Sequence, residues 1–254
     1  MLRWREGSIR LPVRDGLRIA GLGALGFGTY QILWATALQS IPAGDSAFLI
    51  ATTPVLTVLL AAVAGSDTLS RRKLAGAIVS FAGVGIVVVA GPGLRLGASF
   101  VGDAMTLGAA ACWAVYTSWG APVLASHSPL RTTAWAMVGG GIVLAPLGLV
   151  QAAGVDWGRV SAGAWLGFVY STLIPAGIAN VVVFHAIRLL GPSRITAFQF
   201  LVPFIAVLLG AIFLAEVIEP AQIVGGAVII LGVAIARAVD IGRLASRAVG
   251  RLSP

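Results

Sequence analysis

Charge is scarce in this chain. Only 10% of its 254 residues are Asp, Glu, Lys or Arg, against about 25% in soluble globular domains. Seventeen basic and nine acidic residues cannot cover a water-exposed surface of this length, which excludes an ordinary cytosolic enzyme. Cysteine is nearly absent. Cys112 stands alone and rules out an intrachain disulfide framework. The only histidines are His127 and His185, far apart in sequence. No HExxH, no CxxC and no nucleotide-binding glycine loop occurs. The expectation is therefore no enzyme activity, no metal site and no cofactor.

What is abundant is apolar. The chain is 58% hydrophobic and holds 33 Gly and 12 Pro. Its mean hydropathy is +0.98. Such a chain is too apolar for disorder, and that much Gly and Pro suits packed membrane helices. The net charge of +8 does not read as nucleic-acid binding. The arginines lie between apolar runs and at the termini, not interleaved with aromatics on one surface.

A membrane helix needs about 20 predominantly apolar residues. Eight stretches meet that expectation: 17–38, 45–64, 74–91, 100–122, 133–150, 161–187, 194–214 and 222–238. Segments 78–90 and 223–236 are continuously apolar and do not alternate, so a membrane β-barrel fits poorly. The expected fold is an all-α polytopic bundle of eight transmembrane helices. Residues 1–16 are mixed and basic, with Glu6, Arg10, Arg14 and Asp15 interrupting any signal-peptide core. They read as a cytoplasmic or interfacial arm, and 239–254 as a basic cytoplasmic tail.

Threading eight spans from a cytoplasmic N-terminus puts 15 basic residues on the cytoplasmic side. These are Arg3, Arg5, Arg10, Arg14, Arg18, Arg71, Arg72, Lys73, Arg131, Arg188, Arg194, Arg237, Arg243, Arg247 and Arg251. Only Arg95 and Arg159 fall outside. That bias obeys the positive-inside rule and places both termini in the cytoplasm.

A shift of 149 residues aligns two stretches without a gap. Gly28 meets Gly177, Pro54 meets Pro203, Asp67 meets Glu216, Gly76 meets Gly225 and Gly83 meets Gly232. Five spans separate the two copies, so they are expected to be inverted across the membrane. Inverted repeats let a central site open first to one side and then to the other. That expectation points to transport.

The motifs here are Ala37, Leu38, Pro42, Ala43, Gly44 and Pro54, then Asp67, Leu69 to Lys73, Gly76 and Gly83. A second set runs Ala186, Ile187, Gly191, Pro192, Ser193 and Pro203, then Glu216, Gly225 and Gly232. Gly102, Asp103 and Trp113 to Tyr116 open the second copy. In order and spacing the chain resembles the EamA-type proteins of the drug/metabolite transporter superfamily, over nearly all of 17–238. The resemblance implies a ten-helix inverted-repeat fold of two five-helix copies. Residues 17–91 would be an incomplete first copy of three helices, and 100–238 a complete second. Two opening helices would be missing, through a start assigned too late, a truncated gene or an eight-helix variant. An incomplete N-terminus is the reading adopted.

Polar groups within spans are costly and mark sites or internal bonds. Tyr30, Gln31 and Trp34 share a turn, as do Trp113, Tyr116 and Thr117. Asn180, Phe184 and His185 lie in the sixth stretch, and Gln199 precedes Pro203. The resemblance implies a mid-membrane cavity between the copies, and Gln31, Trp34, Trp113, Tyr116, Asn180, Phe184 and Gln199 are the expected substrate-binding residues. The competing reading makes the aromatics packing or interface residues, and lets an amide bond a neighbouring carbonyl. Pro54 and Pro203 are expected hinges, since proline removes a helical hydrogen bond. His185 reads as structural. Asp103 reads as a helix-start acceptor, and Asp67 and Glu216 as locking or capping groups. Gly163 and Gly167 have the spacing of close helix packing.

The expected function is alternating-access transport of a small-molecule substrate through a lipid bilayer, at family level export of amino acids or related compounds. The alternative is a non-transporting scaffold or accessory subunit. The expected location is a bacterial inner membrane. Proton coupling and a homodimer stay open as partner expectations, and no nucleic-acid partner is expected.

Overall fold

A computed structural model describes residues 11–90, 96, 99–214 and 218–237. The first ten residues of the arm, Arg95, Glu216 and the tail lie outside the described residues. All described regular structure is helical. Helix α1 spans Val13–Gly23 and passes through a π-helical segment, Ala24–Thr29, into α2, Tyr30–Ala37. Helices α3 (Ala43–Ile50) and α4 (Thr53–Val63) form one interrupted span, and α5 covers Arg71–Ala90. Helices α6 (Phe100–Ser126) and α7 (Pro129–Ala153) follow. Helix α8 (Ala162–Ser171) runs through a second π-helical segment, Thr172–Ala179, into α9, Asn180–Leu190. Helix α10 (Pro192–Thr196) continues through a 3₁₀ turn at Ala197–Phe200 into α11 (Leu201–Leu214), and α12 spans Pro220–Arg237.

Eight expected membrane spans become five. Among the described residues, only Ala43–Val63, Arg71–Ala90, Pro129–Ala153, Ala162–Leu190 and Pro192–Phe213 are long and apolar enough to cross a membrane, by length and composition. The expected spans 17–38 and 100–122 are helical, but polar groups and glycines dilute them. Gln31, Tyr30 and four glycines do so in the first. Asp103, Thr106, Tyr116 and Thr117 do so in the second. The expected span 222–238 lies in an apolar helix, Pro220–Ala236, that falls in the shorter class. At 1.5 Å per residue it reaches about 26 Å, short of a hydrocarbon core of about 30 Å. The structure is an all-α bundle and not the ten-helix inverted repeat.

Helix α6 occupies the middle of one half of the bundle, against α1, α2, α3, α4 and the first π segment. Its polarity is tolerated because protein surrounds it. Thr106, Thr117 and Ser118 are fully or almost fully buried. Thr106 Oγ1 donates to Gly102 O at 2.9 Å and Thr117 Oγ1 to Trp113 O at 2.9 Å. Ser99 caps the helix start by accepting from Gly102 N. Asp103 sits in the first turn, where its charge complements the helix dipole.

The other half is built on α5 and α12, the most extensive helix pair in the structure. Lipid is as apolar as Val or Ile, so burial alone does not drive helix pairing there, and close van der Waals contact must. Gly76 faces Gly232 and Ala236, while Gly83 faces Gly225 and Ile229. Rising positions on one helix meet falling positions on the other, so the pair is antiparallel. At the crossing, Ser80 Oγ donates to Ile229 O at 3.2 Å. Val84, Val87, Val233 and Phe200 complete this core. Local features thus recur at the 149-residue offset, the two π segments among them, without amounting to a ten-helix repeat. Gly163 and Gly167 do not pack as expected. A Cβ on Gly167 would meet nothing within 4 Å, and one on Gly163 only Ser161 at 3.8 Å.

Candidate functional site

The two π segments deliver the chain to the site. A π turn widens the helix and leaves carbonyls without their regular partners, and such bulges concentrate at functional positions. In the first, Thr29 Oγ1 bonds Ala24 O at 3.3 Å, and the turn presents Phe27 just before Tyr30. In the second, Pro175 removes a donor. Separately, Asn180 Nδ2 bonds Pro175 O at 3.0 Å and Ala176 O at 2.9 Å. Asn180 thereby holds its own helix together, and Phe184 follows one turn later.

Six aromatic rings from three stretches of chain meet here. Phe27 packs edge-on to Trp113 and Tyr116, with centroids 5.9 and 5.1 Å apart. Tyr30 stacks on Trp34 at 6.2 Å and tilts against Trp113 at 5.4 Å. Trp113 and Tyr116 lie 5.5 Å apart, and Tyr116 reaches Phe184 at 5.1 Å. Trp113 and Tyr116 can touch because i and i+3 share a helix face. Tyr116 and Phe184 are each only 2% exposed. Gly26 makes the closeness possible, since any Cβ there would collide with the Tyr116 ring.

Of the seven expected substrate residues, the structure gathers Trp34, Trp113, Tyr116 and Phe184 into this cluster. Asn180 lies one turn before Phe184 but turns to its own backbone. Gln31 is exposed on α2, and Gln199 sits half-buried in the 3₁₀ turn before α11. Pro54 and Pro203 hold related positions. Pro54 opens α4 after the break at residues 51–52, and Pro203 lies in the first turn of α11 after the 3₁₀ turn. Proline is tolerated in a first turn because that N–H has no intrahelical partner.

Sequence reading passed over Phe27, Gly26 and Ser46. Trp34 Nε1 donates to Ser46 Oγ at 3.0 Å, which ties the ring cluster to α3. Ser46 is 2% exposed, and the adjacent Asp45 is fully buried. Their one sequence signal was position just after Pro42, at the first turn of a helix. Trp113 Nε1 and Tyr116 Oη are buried and have no hydrogen-bond partner among the described residues. Two further contacts join distant segments. His127 Nε2 lies 2.9 Å from Asp15 Oδ2, linking the end of α6 to the start of α1. Lys73 Nζ pairs with Asp67 Oδ1, and the Asp67 carboxylate lies against Gly191, the positive-φ residue (φ +84°) between α9 and α10. His185 is exposed on α9. No group of three or more His, Cys, Asp or Glu able to hold a metal occurs among the described residues.

Comparison with known proteins places the chain as a whole. The chain is 34% identical over 237 residues to a probable terminal-alkyne amino-acid exporter of Streptantibioticus cattleyicolor, covering 93% of this chain and 78% of that protein. It is 26% identical over 209 residues to a threonine/homoserine exporter of Salmonella typhimurium, covering 78% and 64%. It is 24% identical to an uncharacterized transporter of Bacillus subtilis over 92% of this chain and 77% of that one. A solved crystal structure shares the fold with a TM-score of 0.76 at 18% identity, covering 91% of this chain and 77% of the other. The sequence profile of the EamA-like transporter family matches residues 1–89 and 100–238. This chain is therefore a member of the EamA-like transporter family in the drug/metabolite transporter superfamily, a multi-pass membrane protein that carries small molecules across the bilayer and not an enzyme.

Proposed function

We propose that the protein exports amino acids or related small metabolites from a bacterial cytoplasm by alternating access. The observation that carries this reading is the ring cluster. It joins the first π segment and α2, helix α6 and helix α9, so any relative motion of these elements must open or close it. The names of two relatives, both amino-acid exporters, support the substrate class. The interruptions before Pro54 and Pro203 supply places where α4 and α11 bend. In this reading Trp34, Trp113, Tyr116 and Phe184 contact the solute, Gln31 and Gln199 line its path, and a proton or other ion gradient drives the cycle. The basic segments at 71–73, 131 and 188–194 face the cytoplasm with both termini.

Efflux from proteoliposomes loaded with a panel of amino acids tests the proposal. Wild type is expected to move at least one solute, and Trp113→Leu and Phe184→Leu to slow that flux at least tenfold while remaining folded. No flux for any solute, or full flux in both variants, overturns it.

A further inference from the structure

We propose that Trp113 Nε1 and Tyr116 Oη together hold a hydrogen-bond-accepting oxygen of the transported solute, the carboxylate where that solute is an amino acid. This rests on the ring cluster being the solute site. A buried indole N–H or phenol O–H usually finds a partner, and leaving one unmade is costly. Several donors around the cluster obey that rule. Trp34 Nε1 is satisfied by Ser46, Thr117 by Trp113 O, Thr29 by Ala24 O, and both Asn180 bonds go to its own helix. Trp113 Nε1 and Tyr116 Oη, on one face of α6 with rings 5.5 Å apart, do not obey it, and among the described residues Ser118 Oγ on the same helix is also buried without a partner. Trp113 and Tyr116, unlike Ser118, lie inside a cluster that joins three distant stretches of chain by aromatic contact.

The chemistry of the pair sets the chemistry of the ligand. Indole N–H donates and never accepts, and phenol can donate, so the matching group is an acceptor oxygen. The six ring side chains carry no formal charge. Neutral donors therefore meet the oxygen, and the ring faces of Tyr30, Trp34 and Phe27 are suited to an adjacent ammonium. A zwitterion presents both. Tyr116 is 2% exposed, so the solute reaches these donors only when the rings part.

The test uses the full chain in phosphatidylcholine nanodiscs and ring-preserving variants, Tyr116→Phe and Trp113→Phe. Binding of threonine, homoserine and propargylglycine is measured against their decarboxylated amines. In wild type at least one amino acid is expected to bind roughly tenfold to hundredfold more tightly than its amine, the size of a charged hydrogen bond. Tyr116→Phe should erase most of that preference, with Trp113→Phe as the second reading if one variant fails to fold. Equal binding of acid and amine in wild type, or an unchanged preference in folded variants, overturns the proposal and marks the partner as an internal water. Binding of none of the three acids overturns it too. Affinity that follows a switch to phosphatidylglycerol rather than the carboxylate assigns the donors to a lipid headgroup and overturns it as well. The efflux assay keeps the two ideas apart. If Trp113→Leu and Phe184→Leu leave flux intact, the ring cluster is not the site. If they abolish it while Tyr116→Phe keeps the carboxylate preference, only the present assignment fails.

Discussion

Individual side chains divide here by where their hydrogen bonds go. Asn180, Thr29 and Thr117 bond backbone of their own helices, so their polarity is absorbed locally. Trp113 and Tyr116 were visible in the sequence because a three-residue step on a helix puts two aromatics on one face. Gly26 and Phe27 were not, because a π turn shifts the facing of residues in a way that 3.6-residue spacing does not anticipate. Gly26 gives a direct test. Gly26→Val puts a branched side chain into the Tyr116 ring, so overpacking of about 1–3 kcal/mol is expected. Thermal unfolding in detergent should show that loss, whereas Gly21→Val, whose Cβ would meet nothing within 4 Å, should change it far less.

At the level of helices, irregularity is placed and not scattered. Both π segments open onto ring-bearing turns, and Pro54 and Pro203 each sit in a first turn beside an interruption. Asn180 belongs to this scale. Asn180→Ala removes two bonds to the carbonyls of Pro175 and Ala176 in the π segment. Interhelical and side-chain bonds in membranes are worth roughly 0.6 kcal/mol each on average, so a loss of about 1 kcal/mol in stability is expected, read by denaturant or thermal unfolding. The α5–α12 pair makes a stronger statement. Gly83→Leu must push apart backbones that touch at Gly225 and Ile229. A loss at least as large as that for Gly26→Val should appear in the same unfolding measurement, while Gly167→Leu should be nearly silent. The GxxxG spacing of Gly163 and Gly167 was readable, yet spacing alone does not place a partner helix opposite.

The whole molecule is a bundle with two packing centres, α6 in one half and the α5–α12 pair in the other. Segments far apart in sequence are tied by His127 with Asp15 and by Asp67 against Gly191. The basic residues follow helix ends, at Arg14 and Arg18, Arg71 to Lys73, Arg131, and Arg188 with Arg194. On the proposed orientation, single cysteines at 71 and 131 in a Cys112→Ala background should react with a membrane-impermeant maleimide only from the cytoplasmic side. A cysteine at 159 should react only from outside. Labelling of all three from one side would remove the charge-based topology.

Composition and hydropathy by themselves determined that this chain is helical and lives in a bilayer, because scarce charge and long apolar runs leave no other stable arrangement. Family character was readable as well, carried by the order and spacing of Pro, Gly and acidic residues. The number of helices long and apolar enough to cross the membrane follows from helix length and composition, and what tertiary structure decided is how the more polar helices are kept. A helix such as α6 can be too polar to face lipid and still persist when neighbours enclose it, and hydropathy read along the chain cannot see those neighbours. The same limit applied to the ring cluster. Which donors are satisfied and which are left over depends on what packs against them, and that is a property of the folded bundle.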